Sequence, residues 1–226
     1  MQSSRSLIIT AAGTGSRFDP SEPKLLTMIH EHPVIWHSIQ AFRSFSFQEI
    51  IVSTHTNTHD EIQKICQSFP LNIRCIPGGN TRADSVKNAV FSLAPCEQVL
   101  IHDGARPAIP QSVIQRLLEQ PHKACIPVIP CTDTLKIIKD QLIVSAVDRG
   151  NCVRVQTPQA LSYPALINAY QSIPDISSFT DESSLLQAQG VPIHTVWGDP
   201  QNIKLTTQSD LAILSLYLKL STLKDL

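Results

Sequence analysis

Five short apolar runs, at 7–12, 50–53, 73–76, 99–102 and 124–129, alternate with stretches of another periodicity along the first three-fifths of the chain. Each run is brief, rich in β-branched residues and bounded by turn or polar residues, as a buried strand is. The segments between them, 34–45, 60–69, 83–93 and 111–120, carry helical spacing, and Pro110 suits the start of the last one. Strand–helix alternation leaves few topologies: parallel strands, right-handed crossovers and helices on both faces. The expected fold is therefore α/β, a three-layer Rossmann-like sheet. Ligands in such sheets bind beyond the carboxyl ends of the strands, which is where this chain's unusual segments fall.

The pattern changes after Pro130. Two β-like runs, 134–138 and 142–147, flank Lys139-Asp140-Gln141 and read as a hairpin. A two-stranded hairpin is marginal alone in water, so the arm over about 131–155 needs something to pack on, and a second copy of the chain is the natural candidate. Helices are expected at 164–171 and at 181–189, the latter ending at Gly190, with Thr180 as N-cap and Asp181 and Glu182 suited to the helix dipole. A strand at 193–197 and an amphipathic helix at 208–218 complete one domain over 1–226.

Net charge is -1, with no block of like charge, so the chain has no general field for nucleic acid or membrane and must bind anions through local arrangements. The six cysteines form no C-x-x-C pair and match neither a metal site nor a secreted disulfide framework. The apolar run before Thr10 is too short for a signal peptide, and nothing approaches the ~20 apolar residues of a membrane span. A cytoplasmic protein is expected. His55 and His59 lack the glutamate of a zinc protease helix and read as a loop or helix start, and Ser16 lacks a nucleophile-elbow context.

The strongest chemical feature is Ala11-Ala12-Gly13-Thr14-Gly15-Ser16-Arg17, directly after the first strand, with Pro23-Lys24 beyond it. Glycines at 13 and 15 let backbone N–H groups approach a phosphate chain, Arg17 can fork onto phosphate oxygens, and Lys24 adds a compact charge. A dinucleotide fingerprint would need glycine where Phe18 stands, which disfavours a nicotinamide-dependent oxidoreductase, and no Gly-Lys-Ser/Thr follows for a Walker A loop. A second cluster, Gly78-Gly79-Asn80-Thr81-Arg82-Ala83-Asp84-Ser85-Val86, opens a helix with free N–H groups, and Ser85 one turn in can bond a base or ribose. The third, His102-Asp103-Gly104-Ala105-Arg106-Pro107, ends a strand. Its Asp-x-x-Arg can be an ion pair holding a turn, or Asp103 can hold Mg²⁺ beside substrate phosphates.

With Asp133-Thr134-Leu135-Lys136, Asp148-Arg149, Thr157-Pro158-Gln159, Thr180-Asp181-Glu182 and Asn202-Ile203-Lys204-Leu205-Thr206, these motifs stand in the order found in methylerythritol-phosphate cytidylyltransferases. The resemblance runs from about residue 7 to residue 211. It implies a nucleotidyltransferase sheet with a protruding β-hairpin arm, transfer of CMP from CTP to a polyol phosphate, a divalent cation such as Mg²⁺, and a homodimer. It places Ala11, Ala12, Gly13, Thr14, Gly15, Gly79, Asn80, Ser85, Asp103 and Ala105 around the nucleotide, with Asp103 also beside the metal. Arg17, Lys24, Arg149 and Lys204 would carry the catalytic charge. Thr134, Arg149, Thr157 and Lys204 would hold the acceptor phosphate, with Thr134, Arg149 and Thr157 arriving on the partner's arm. The chain departs from the family pattern at Gly104, where alanine is usual, at Asn80, where some members carry an acid, and through 18–22. Ribitol-5-phosphate cytidylyltransferases share most of these motifs and remain the alternative.

Overall fold

The computed structural model describes residues 4–13, 15, 18 and 22–224, side chains at 221–224 excepted. Strand β1 (Arg5–Ala11) leads to a short ribbon, β2 (Met28–Ile29) and β3 (His32–Pro33), and then to α1 (Val34–Gln40). Next come β4 (Ile50–Thr54), α2 (His59–Gln67), β5 (Ile73–Pro77), α3 (Arg82–Ser92), β6 (Gln98–Asp103), α4 (Gln111–Leu118) and β7 (Cys125–Pro130). The second half carries β8 (Leu135–Lys139), β9 (Leu142–Val147), β10 (Val153–Val155), β11 (Gln159–Ser162), α5 (Tyr163–Ser172), α6 (Glu182–Ala188), β12 (His194–Trp197) and α7 (Asp210–Lys224).

Successive side chains of a strand point to opposite faces, and here each face has its own core. Leu7, Ile9, Ile50, Val52 and Leu100 pack with residues of α1, α2, α4 and α7, among them Ile39, Ile62, Leu117 and Leu214. Ile8, Ile51, Val99 and Ile101 pack on the other side with Val86, Val90, Leu166 and Leu186 of α3, α5 and α6. The register agrees: Leu7 faces both Ile50 and Leu100, and Ile8 faces both Ile51 and Ile101. Burial on both faces is why these strands are apolar throughout rather than alternating. Strands β6, β1, β4 and β5 are parallel neighbours, as the alternation requires.

Beyond β6 the sheet departs from expectation. Strand β7 does not join its parallel neighbours directly, because β11 runs antiparallel between it and β6. Strand β12 pairs with β7 in parallel and β10 pairs with it antiparallel. Residues 153–155 therefore belong to the sheet, which ends the arm before them. Helix α1 stops at Gln40 rather than 45, and the N-cap of α6 is Asp181, not Thr180, its carboxylate accepting from the N–H of Ser184.

The arm is β8 and β9, paired only with each other among the described strands. Asp140 and Gln141 at its tip have φ of 50° and 65°, the left-handed geometry of a tight primed hairpin turn. Ile137, Ile138, Leu142, Ile143 and Val144 are each more than half exposed.

Candidate active site

A cleft of about 380 Å³ opens at the carboxyl edge of the parallel strands, within the size range of small-molecule sites. Ala12, Gly13, Gly15, Lys24, Gly79 and Asn80 line it, as do Ser85, Asp103, Ala105 and Lys204. Ala11 is buried at the end of β1 beneath them. Thr14 and Arg17 lie outside the described residues. Phe18, where a dinucleotide loop would need glycine, is buried in the core.

Gly15 holds φ at +68°, with Lys24 Cβ 3.0 Å from where its own Cβ would stand, so the turn needs glycine and draws Lys24 against it. Gly104 is constrained differently. A Cβ there would lie 2.8 Å from the Thr10 carbonyl oxygen and 2.9 Å from Ile35 Cδ1, which accounts for glycine at this position of this chain.

The loop 78–81 is shaped by hydrogen bonds. Gly78 N–H donates to the Thr54 carbonyl at 2.8 Å. Thr81 caps α3 with a full capping box, accepting from Asp84 N–H while the Asp84 carboxylate accepts from Thr81 N–H. The buried Ser85 hydroxyl accepts from Gly79 N–H at 2.9 Å and donates to the Thr81 carbonyl at 2.8 Å. Its donor is thus spent on the loop, so Ser85 shapes this wall of the cleft.

Asp103 is the electrostatic hub. Its buried carboxylate takes Lys204 Nζ at 2.9 Å and Arg106 Nε at 3.4 Å on Oδ2, and Arg82 Nε at 3.4 Å on Oδ1. The Asp-x-x-Arg pair is therefore real, and two distant cations join it. Burial works against ionisation, but Lys204, then Arg82 and Arg106, outweigh it and hold the carboxyl well below the usual range. Arg82 is also gripped by Glu182, whose two oxygens accept from Nη1 at 3.1 and 3.0 Å.

Behind the hub runs a buried relay. The Arg106 carbonyl can only accept, so His102 Nε2, 3.2 Å away, carries the proton. Burial pushes the ring down to about 4, leaving it neutral, so Nδ1 accepts from the Thr157 hydroxyl at 3.2 Å. That hydroxyl in turn accepts from Asp103 N–H at 3.0 Å. Asn202 is fully buried and donates to the Thr157 carbonyl at 2.8 Å, and its own carbonyl accepts from Arg106 Nη1 at 2.8 Å. Leu205 N–H bonds the Ala105 carbonyl. With Asn202 and Leu205 anchored, Lys204 and Thr206 face the cleft.

One expectation is corrected here. Thr157 does not ride on an arm; it is 6% exposed inside its own chain, because its hydroxyl completes the Asp103–His102 relay. Arg149 and Thr134 do not line the cleft of their own chain; both belong to the arm segment, and Arg149 Nη1 donates to the Thr132 carbonyl at 2.6 Å.

Thr10, Leu25, Thr81, Arg82 and Thr206 line the cleft, although the sequence assigned them no role there. For Arg82 a signal existed. It opens α3, where a cation opposes the helix dipole and so needs another reason to be there. Among the described lining residues Asp103 is the one acid, against Lys24, Arg82 and Lys204. The described residues contain no cluster of three metal-ligating side chains. A single carboxylate suits Mg²⁺, which takes few protein ligands and completes its shell with phosphates and water.

The family model for 2-C-methyl-D-erythritol 4-phosphate cytidylyltransferase matches residues 6–220. An enzyme of that name from Bacillus cereus is 36% identical over 219 residues, covering 94% of this chain and 96% of its own. One from Bacteroides thetaiotaomicron is 35% identical, covering 92% and 97%. The crystal structure of 4-diphosphocytidyl-2C-methyl-D-erythritol synthase from Anaerococcus prevotii superposes with a TM-score of 0.84 at 27% identity, covering 96% of this chain and 97% of that one. The chain belongs to the 2-C-methyl-D-erythritol 4-phosphate cytidylyltransferase family.

Proposed function

We propose that the chain transfers the cytidylyl group of CTP to the phosphate of 2-C-methyl-D-erythritol 4-phosphate, releasing pyrophosphate, in isoprenoid precursor synthesis. The observation that carries this reading is the cation-rich cleft around one buried carboxylate, in a chain of this family. An acceptor phosphate oxygen, already anionic, forms a bond to the α-phosphorus, and the bond from that phosphorus to the bridging oxygen of pyrophosphate breaks in line. No base is needed to make the nucleophile. What remains is bringing two polyanions together and neutralising growing charge.

Lys24 and Lys204 supply that charge from opposite ends of the sequence. A full charge about 4 Å away contributes roughly 4 kcal/mol at a partly exposed site, so a few such contacts account for a large rate effect. Arg17, seven residues before Lys24 in the sequence, is proposed for the same task. Asp103 with the phosphates of CTP would hold a divalent cation, which supplies further neutralisation on the triphosphate.

The acceptor side is assigned to the arm of a second copy. A ribbon whose strands pair only with each other among the described strands, with five large apolar side chains exposed, favours burial against another subunit, each such burial contributing about 1.5–3 kcal/mol. Arg149 and Thr134 would then reach the partner's cleft. No described helix is long and apolar enough to cross a membrane, and phosphorylated solutes as substrates suit a cytoplasmic enzyme.

The test is pyrophosphate release with Mg²⁺, each of the four nucleoside triphosphates, and a panel of polyol phosphates. CTP with methylerythritol phosphate should turn over far faster than any other pair. A preference for ribitol 5-phosphate, or indifference to the base, overturns the reading.

A further inference from the structure

Glu182 has no part in the chemistry above, yet this acid is only 2% exposed beside a cleft for polyanions. A buried acid there opposes anion binding unless it serves something else. Both its oxygens hold Nη1 of Arg82, one hundred residues away in sequence. Arg82 lines the cleft with its side chain 30% exposed, in the same loop and helix start as Gly79, Asn80 and Ser85.

A guanidinium has five N–H donors in one rigid plane. Nε donates to Asp103 and Nη1 to Glu182, while among the described residues Nη2 has no hydrogen-bond acceptor. The two carboxylates hold the plane from two sides. The contact to Glu182, at 3.0 Å, is the closer; that to Asp103 is 3.4 Å. Without Glu182, Arg82 would settle on Asp103 beside Lys204 and Arg106, and its free amino group would turn with it. We infer that Arg82 is a CTP-binding residue, its Nη2 group donating to anionic oxygens of the nucleotide, and that Glu182 is the positioning residue that sets it there. This rests on the cytidylyltransferase reading of the cleft.

The experiment is calorimetric titration of CTP, in buffer with Mg²⁺ and without acceptor, into wild type, Glu182→Gln, Arg82→Lys and the double variant. Each single change should weaken CTP binding by at least ~10-fold, the size of one hydrogen bond to a charged group. The double variant should bind no more weakly than the worse single, because both act through one donor group. A steady-state KM for the acceptor that stays unchanged in both singles separates this role from a general loosening of the site. Arg82→Lys binding CTP as wild type does, or losses that multiply in the double variant, overturns the inference. If Glu182→Gln does not fold, as judged by circular dichroism, the partly exposed Arg82→Lys decides alone. Wild type failing to bind CTP overturns the reading of the cleft and the inference with it; wild type binding, with variants unaltered, overturns the inference only.

Discussion

Replacing Thr157 by valine keeps the side chain's shape and removes one hydroxyl, so it separates a buried structural role from an acceptor-binding one. In the structure that hydroxyl has two partners, Asp103 N–H at 3.0 Å and His102 Nδ1 at 3.2 Å, both buried. Valine leaves a donor and an acceptor without partners, and water cannot easily replace the hydroxyl at a residue 6% exposed. Each orphaned group costs about 1–3 kcal/mol, so the pair should cost roughly 2–6 kcal/mol. For a chain of this size each kcal/mol lowers Tm by about 2–4 °C, which predicts a fall of roughly 4–24 °C. Thr157→Ser keeps the hydroxyl and should recover most of it. The assay is thermal denaturation of the three proteins at one protomer concentration, with acceptor KM measured alongside. An unchanged Tm in Thr157→Val with a raised acceptor KM would refute the relay and restore Thr157 to the acceptor site alone.

His102 should titrate at about 4 rather than at the ordinary 6.5, because burial disfavours the charged ring. Between those values the unfolded chain binds a proton that the folded chain refuses. The stability His102 contributes is therefore complete above about pH 6.5 and falls as pH drops toward 4, by roughly 2 kcal/mol at pH 5. Burial raises the Glu182 carboxyl and so acts in the opposite sense over acid pH, which makes a histidine NMR titration the clean readout; a ring titrating near 6.5 contradicts the relay. The proposed two-chain site predicts complementation. When Lys24→Ala and Arg149→Ala chains, each nearly inactive, exchange subunits at random, about half the dimers are mixed and roughly a quarter of all sites regain turnover, as a closed two-fold dimer requires. Complete exchange, confirmed by mass, with no recovery shows that Arg149 serves its own chain.

The parallel half of the fold was legible because burial on both faces leaves a mark that needs no partner to interpret. Ile50, Ile51 and Val52 read as a strand whatever lies beside them. In Gln156-Thr157-Pro158-Gln159, polar residues in a row argue against burial. All four are buried, and each polar side chain is satisfied from far along the chain. Gln156 donates to the Asp199 carbonyl, and Gln159 donates to Asp181 and accepts from Ser183 N–H. Strand β11 begins at the last of these residues, Gln159. The last helix was expected to have one apolar face, yet Leu214 is buried while Ile213, Leu216 and Leu220 are exposed, so its apolar residues extend beyond the core-facing side. The site divides along the same line. Cations announce themselves by type and by glycine-rich context, so Lys24 and Lys204 could be named from sequence. What a motif does not show is how like charges are kept apart before any substrate arrives. Lys204, Arg106 and Arg82 converge on a single carboxylate, and a second, Glu182, takes up Arg82 from the side. Three cations sharing Asp103 alone would compete for two oxygens; with Glu182 present, each has a defined place, and the cleft keeps positive charge that is fixed in position rather than neutralised. The acids at 103 and 182 thus do for this anion site what its lysines and arginines cannot do for themselves.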